Sequence, residues 1–248
     1  MNRLRASFNV EDELAAAIVP IGGKRVSEFL GRAPGHENAD YFFPAASVVA
    51  ELKCLDEDKI SDERIIEKAS QLYTDELKAG RAPVVVFGEV RLTTKDFSED
   101  YSQKIGNLYR VPIERLVKKA DSQIQKTVQA LKVAAPTGLF LLANNNHTAL
   151  DPQNAWYIVN EILAQDMYPS INAAVAFSGN LGAALPDAPN RVDYWIQVQR
   201  PGIQPIASQF LSSLRVAWHA HLSKIRGESS APTALPTSME LLSRLESR

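Results

Sequence analysis

The hydrophobic pattern along the chain changes period several times, and each change marks an element. In SVVAELKCL (47–55) alternate side chains of an extended chain share a face. Val48, Ala50, Leu52 and Cys54 then form one apolar row, and Ser47, Val49, Glu51 and Lys53 form the other. ADYFF (39–43) precedes it across Pro44-Ala45-Ala46. So short a connection returns the chain beside itself, which predicts an antiparallel hairpin. Upstream, EDELAAAIV (11–19) and KRVSEFLG (24–31) predict short helices separated by the Pro-Ile-Gly-Gly break at 20–23.

Beyond the hairpin the pattern lengthens. SDERIIEKASQLYTDELKAG (61–80) reads as a helix with a Ser cap, early acids and a terminal Gly, and APVVVFGEVRLTT (82–94) as a strand. VPIERLVKKADSQIQKTVQALKVA (111–134) has Pro just inside its start and a helical stripe through Ile113, Leu116, Val117, Ala120, Ile124, Val128 and Leu131. GLFLLANNN (138–146) and INAAVAFS (171–178) are apolar runs typical of strands buried on both faces, with the helix PQNAWYIVNEILAQ (152–165) between them. That alternation implies parallel strands beside the hairpin. YWIQVQ (194–199) adds a strand and IQPIASQFLSSLRVAWHAHLSKI (203–225) a long helix, while GESSAPTALPTS (227–238) reads as a flexible linker before a short C-terminal helix. The expected class is α/β, a mixed sheet flanked by helices. One domain covers 1–226, with 56–110 either part of its core or an insertion, and 227–248 form a linker and tail.

Composition narrows the functions. At 248 residues with 45% hydrophobic content, the chain can build a sizeable core. A formal charge of −2 provides no global basic field, so nucleic-acid binding has to rest on a local patch. The single cysteine, Cys54, allows neither an internal disulfide nor a cysteine zinc cage, which points to a reducing cytoplasm. The acids in MNRLRASFNVEDELAAA oppose a signal peptide, and no apolar window approaches bilayer length, so a soluble protein without a membrane partner is expected. No G-x-S-x-G elbow and no G-x-x-x-x-G-K-[ST] loop occurs.

The chemistry concentrates on the hairpin. With reversal around Ala45, Asp40 and Glu51 fall nearly opposite one another, roughly 5 Å apart at Cβ. Two carboxylates at that range repel unless one is protonated or a cation lies between them. Hard oxygen ligands favour Mg2+ (or Mn2+) over zinc, and the chain lacks a His/Cys cluster. Lys53 shares the face and could stabilise charge on a phosphoryl group under attack.

Asp40, ten intervening residues and Glu51-Leu52-Lys53 resemble the PD-(D/E)xK phosphodiesterase superfamily of restriction-endonuclease-like fold, as does the order of strands and helices from 39 to about 178. Asn38-Ala39-Asp40 stands where the family has a Pro-Asp pair. The resemblance implies a nuclease acting on DNA, with Asp40, Glu51 and the Leu52 carbonyl as metal ligands and Lys53 as catalytic lysine. It also implies a polar residue on the following core helix, Gln123 or Lys119, with Gln71 the alternative on the earlier helix. An acid on the first helix, Glu28 or else Glu13, could be added. Asn144-Asn145-Asn146-His147 follows a buried strand, where α/β proteins place binding loops, so His147 joins Lys119 as a candidate substrate contact. Lysines 118, 119, 126 and 132 with Arg115 make one helix basic. Two competing readings use the same residues: a non-catalytic nucleic-acid- or protein-binding member of the fold, and an interaction protein in which Glu51 and Lys53 are an ordinary surface pair.

Overall fold

A computed structural model describes residues 8–31, 37–56, 63–82, 97–147, 152–183 and 192–227. The predicted linker and tail from 228 onward, and all but the first residue of the predicted strand 82–94, lie outside the described residues. Two compact units divide the chain: Met1–Glu57 with Leu116–Arg248, and Asp58–Arg115.

The first unit is built on a six-stranded mixed sheet in sequential order: β1 (Lys24–Arg25), β2 (Tyr41–Phe43), β3 (Val48–Leu55), β4 (Thr137–Asn144), β5 (Ala173–Ser178) and β6 (Trp195–Gln199). The hairpin β2–β3 is antiparallel, β3, β4 and β5 run parallel, and β6 returns antiparallel at the far edge. The three central strands carry the expected apolar runs, and every residue of β4 and β5 is buried. At the start of β4, Gly138 passes so close to the Ser170 carbonyl that a Cβ would lie 1.8 Å from its oxygen, so no side chain fits there.

Helices cover both faces. α1 (Val10–Ile18) and α6 (Ser208–Ile225) lie on one, where Leu14, Ile18, Phe43, Ala50, Leu141, Phe177 and Trp218 belong to a continuous core. The alternation in β3 is as expected: Val48, Ala50 and Leu52 enter this core and Cys54 packs against it. α5 (Pro152–Ala164) packs on β5 and β6. The C-terminal half of α4 (Glu99–Leu131) lies over the start of β4, where Ile124 approaches Gly138. Among the described residues no helix is long and apolar enough to cross a membrane.

Three elements depart from expectation. Residues 24–31 form no single helix: Lys24 and Arg25 pair with Phe42 and Tyr41 as an edge strand, and only α2 (Ser27–Leu30) is helical. α4 begins at Glu99 rather than near 111, because Ser98 caps it by accepting the Tyr101 N–H at 3.2 Å and Glu99 and Asp100 fill its first turn. Pro112 is therefore interior, where it gives up one N–H bond and its ring crowds the carbonyl one turn back. The last helix starts at Ser208 rather than 203. In the second unit, α3 (Glu63–Lys78) occupies the predicted 61–80 segment.

Candidate metal-dependent active site

The hairpin turn determines which side chains meet. Pro44–Ala46 form one 3-10 turn closed by Ser47 in the left-handed region (φ 53°), and the resulting register pairs Tyr41 with Ala50. One step outward, Asp40 stands opposite Glu51. Asp40 also ends the strand pairing: its main-chain carbonyl accepts from Val26 N at 2.9 Å, and its Oδ2 accepts from Leu52 N at 2.8 Å.

Glu51 is 1% exposed and bonded to Lys53, both projecting from the face of β3 opposite the apolar row. Lys53 Nζ also donates to Gln123 Oε1 at 2.9 Å, and Gln123 Nε2 donates to the Asn38 carbonyl at 3.0 Å. One turn along α4, Thr127 Oγ1 accepts from Ala39 N at 2.7 Å. The segment leading into β2 is thus tied to α4 at two points, and the catalytic lysine candidate is held between strand and helix.

The electrostatics of the acids are unusual. Burial, with the Asp40 charge second, pushes the Glu51 carboxyl up to about 8, against the pull of Lys53. Burial also raises Asp40, opposed by the Leu52 N–H and Lys53. The two carboxyl groups lie within hydrogen-bonding reach, a contact they can use only by sharing a proton. Glu51 Oε2 is buried with no hydrogen-bond donor among the described residues, and an orphaned carboxylate oxygen is costly. A proton or a cation relieves both problems. Two hard oxygen donors with an orphan lone pair fit Mg2+ or Mn2+. Among the described residues no three His, Cys, Asp or Glu side chains are arranged to hold a metal, so such an ion would need a further non-acidic ligand, the place the resemblance gives to the Leu52 carbonyl.

A cavity of about 690 Å³ opens here at the carboxyl ends of β3 and β4. Asp40, Glu51, Lys53 and Gln123 line one side, and Glu11, Asp56 and Asn145 also face it. Sequence reasoning singled out the loop that holds Asn145, though it chose His147 from it, and missed Glu11 and Asp56. Asn145 donates to Asp56 at 2.6 Å and accepts from Asn180, whose amide also spans the backbone N–H and C=O of Phe8. Asn145 lies one residue past the end of β4, in the loop that the buried strand had already marked.

The remaining candidates stand apart from the cavity lining. Glu28 accepts from Arg25 N at 3.1 Å, and Glu13 pairs with His221 at 2.5 Å, so the acid that α1 presents is Glu11. His147 is buried in a reciprocal turn with Asn144: its N–H donates to Asn144 Oδ1 at 2.8 Å and its carbonyl accepts from Asn144 Nδ2 at 3.0 Å. Those bonds are made by the His147 main chain and close the turn, and His147 is not among the residues lining the cavity. Lys119 is exposed and pairs with Glu37 at 3.0 Å, while Gln123 holds Lys53. Gln71 donates to Asp75 within α3. Comparisons with family models, with curated proteins and with solved structures each return no match.

Proposed function

We propose that the protein is a metal-dependent phosphodiester hydrolase acting on nucleic acid, DNA foremost, with a restriction-endonuclease-like core. One observation carries the reading: half-buried Asp40 and fully buried Glu51 meet as a mutually repelling pair beside Lys53, in a cavity at the strand ends. The mixed sheet, with its acid-bearing hairpin continuing into parallel strands, supports the fold side of the reading.

Asp40 and Glu51 would hold Mg2+ or Mn2+ with the Leu52 carbonyl. Such an ion, when bound, polarises a phosphoryl oxygen and lowers the pKa of its water. Asp40 is braced for this role by the Leu52 N–H, which fixes its Oδ2. Lys53 has three N–H donors, of which Glu51 and Gln123 take two. The third is left for a substrate oxygen, where an ammonium offsets the negative charge that builds on the phosphoryl group. Gln123 keeps that ammonium in place through its own bond to Asn38.

The test is cleavage of single- and double-stranded DNA with Mg2+ or Mn2+, with EDTA as control. Wild-type cleavage that disappears in Asp40→Ala and Glu51→Gln supports the assignment; no cleavage with either metal sinks it. The pairing of Glu51 with Lys53 inside the chain favours a second reading, a binding module that needs no metal. Binding of DNA in EDTA, without cleavage under any condition, is its signature.

A further inference from the structure

The way into the cavity is bounded by α4. At about 100° per residue, positions 119, 123 and 126 fall within roughly 60° of one another around the helix. Lys119 and Lys126, both exposed, therefore stand one turn to either side of Gln123, the residue that holds Lys53. Lys118 points about a quarter turn away. The two lysines are about 10 Å apart along the axis, too far to clamp a single phosphate.

Their present partner is revealing. Glu37 Oε1 lies 3.0 Å from Lys119 Nζ, and both side chains are at least half exposed. The bond and charge of Lys119 hold this carboxyl below its ordinary range, and the charges of Lys126 and Lys53 add to the pull more weakly. Glu37 precedes Asn38, whose carbonyl anchors Gln123. An exposed ion pair of this kind contributes little stability and exchanges readily for a stronger anion. A nucleic-acid backbone offers that anion at every nucleotide, with charge-assisted bonds to lysine.

We propose, resting on the hydrolase reading, that Lys119 and Lys126 bind separate backbone phosphates flanking the scissile one. Glu37 occupies their position in the free protein and is displaced by the incoming strand. Glu37 is then a built-in competitor of the substrate.

Fluorescence anisotropy of labelled single-stranded DNA and RNA oligonucleotides in EDTA tests this without requiring turnover. The Lys119→Ala/Lys126→Ala double variant should bind at least about tenfold more weakly, with a log–log salt slope shallower by about 1.4, two phosphate contacts on a single strand. Glu37→Gln should bind several-fold more tightly, and Lys118→Ala should match wild type. The strand type with the larger Glu37 effect is the preferred one. The proposal is overturned if the double variant or Glu37→Gln binds like wild type, if Lys118→Ala weakens binding as much as Lys119→Ala, or if wild type binds neither oligonucleotide. Expected binding shifts in a protein that never cleaves would leave the lysine track standing and remove only the hydrolase reading.

Discussion

The two faces of β3 bury nearly equal lengths of chain by opposite means. Val48, Ala50 and Leu52 join Phe177 and Trp218 in a core that α1 and α6 cover, where burial alone stabilises. Val49, Glu51 and Lys53 face the other way, and two of those three are ionisable, so packing must be supplemented by Gln123, Asn38 and Thr127. A protein optimised only for stability has little reason to bury Glu51, since ion pairs taken out of water rarely repay their desolvation. The contrast within one strand separates a face that burial alone explains from one that it does not, the face the hydrolase reading takes as chemical.

The largest expected effect tests the structural face. Trp218 is fully buried, stacks edge-on with Phe177 and donates to the Ser178 carbonyl at 3.2 Å. Trp218→Ala should cost about 3–5 kcal/mol in urea denaturation. If it costs less than 1 kcal/mol, as a surface change does, the account of this core is wrong.

On the chemical face the counterpart is Lys53→Met. On the proposed hydrolase reading it should lower kcat by about 100-fold or more while the thermal shift caused by Mg2+ or Mn2+ persists, since there the lysine acts on developing charge and the metal rests on Asp40 and Glu51. Loss of both together would mean that Lys53 only props up the site. Metal at 100 times its Kd should itself add about 2.7 kcal/mol to wild-type stability, and Asp40→Ala should abolish the gain.

How far was this division legible? The alternation of SVVAELKCL and the short Pro44-Ala45-Ala46 connection were enough to oppose Asp40 and Glu51, because register across a tight turn is local arithmetic. Gln123 was reachable through the helical stripe and the resemblance. The loop holding Asn145 was marked by the buried strand before it, but Glu11 and Asp56 were not legible: they reach the cavity from the ends of two different elements, and nothing local in a sequence reports which ends converge. Pro112 misled about the start of α4, since a proline inside a helix is costly, through one lost bond and a crowded carbonyl, but not forbidden. Lys24-Arg25 is too short for any period, and only pairing with β2 makes it a strand.

The smallest effects are pH dependences, and the two faces should bend the stability curve in opposite directions. Glu51 has its folded pKa raised to about 8, so the folded state holds a proton that the unfolded state releases near the ordinary value of 4.5. Stability from this group is complete below 4.5 and is lost as pH rises toward 8. Glu51→Gln should therefore be the more stable protein at pH 8 to 9 in EDTA, by several degrees of Tm, with little difference near pH 5. His219 is the mirror case. It is 3% exposed on α6, edge-on to Trp195, and its Nε2 has no partner among the described residues. Burial, opposed by Asp193 and aided by Arg215 and Arg226, holds it down to about 4 against an ordinary 6.5. Above 6.5 both states are neutral and nothing is lost; as pH falls from 6.5 to about 4 only the unfolded chain takes up the proton, and stability declines. Thermal melts from pH 7 to 4 should show this acid limb in wild type and a flatter one in His219→Gln. An identical slope in both would place the acid sensitivity in the carboxylates and leave His219 without a titrating role.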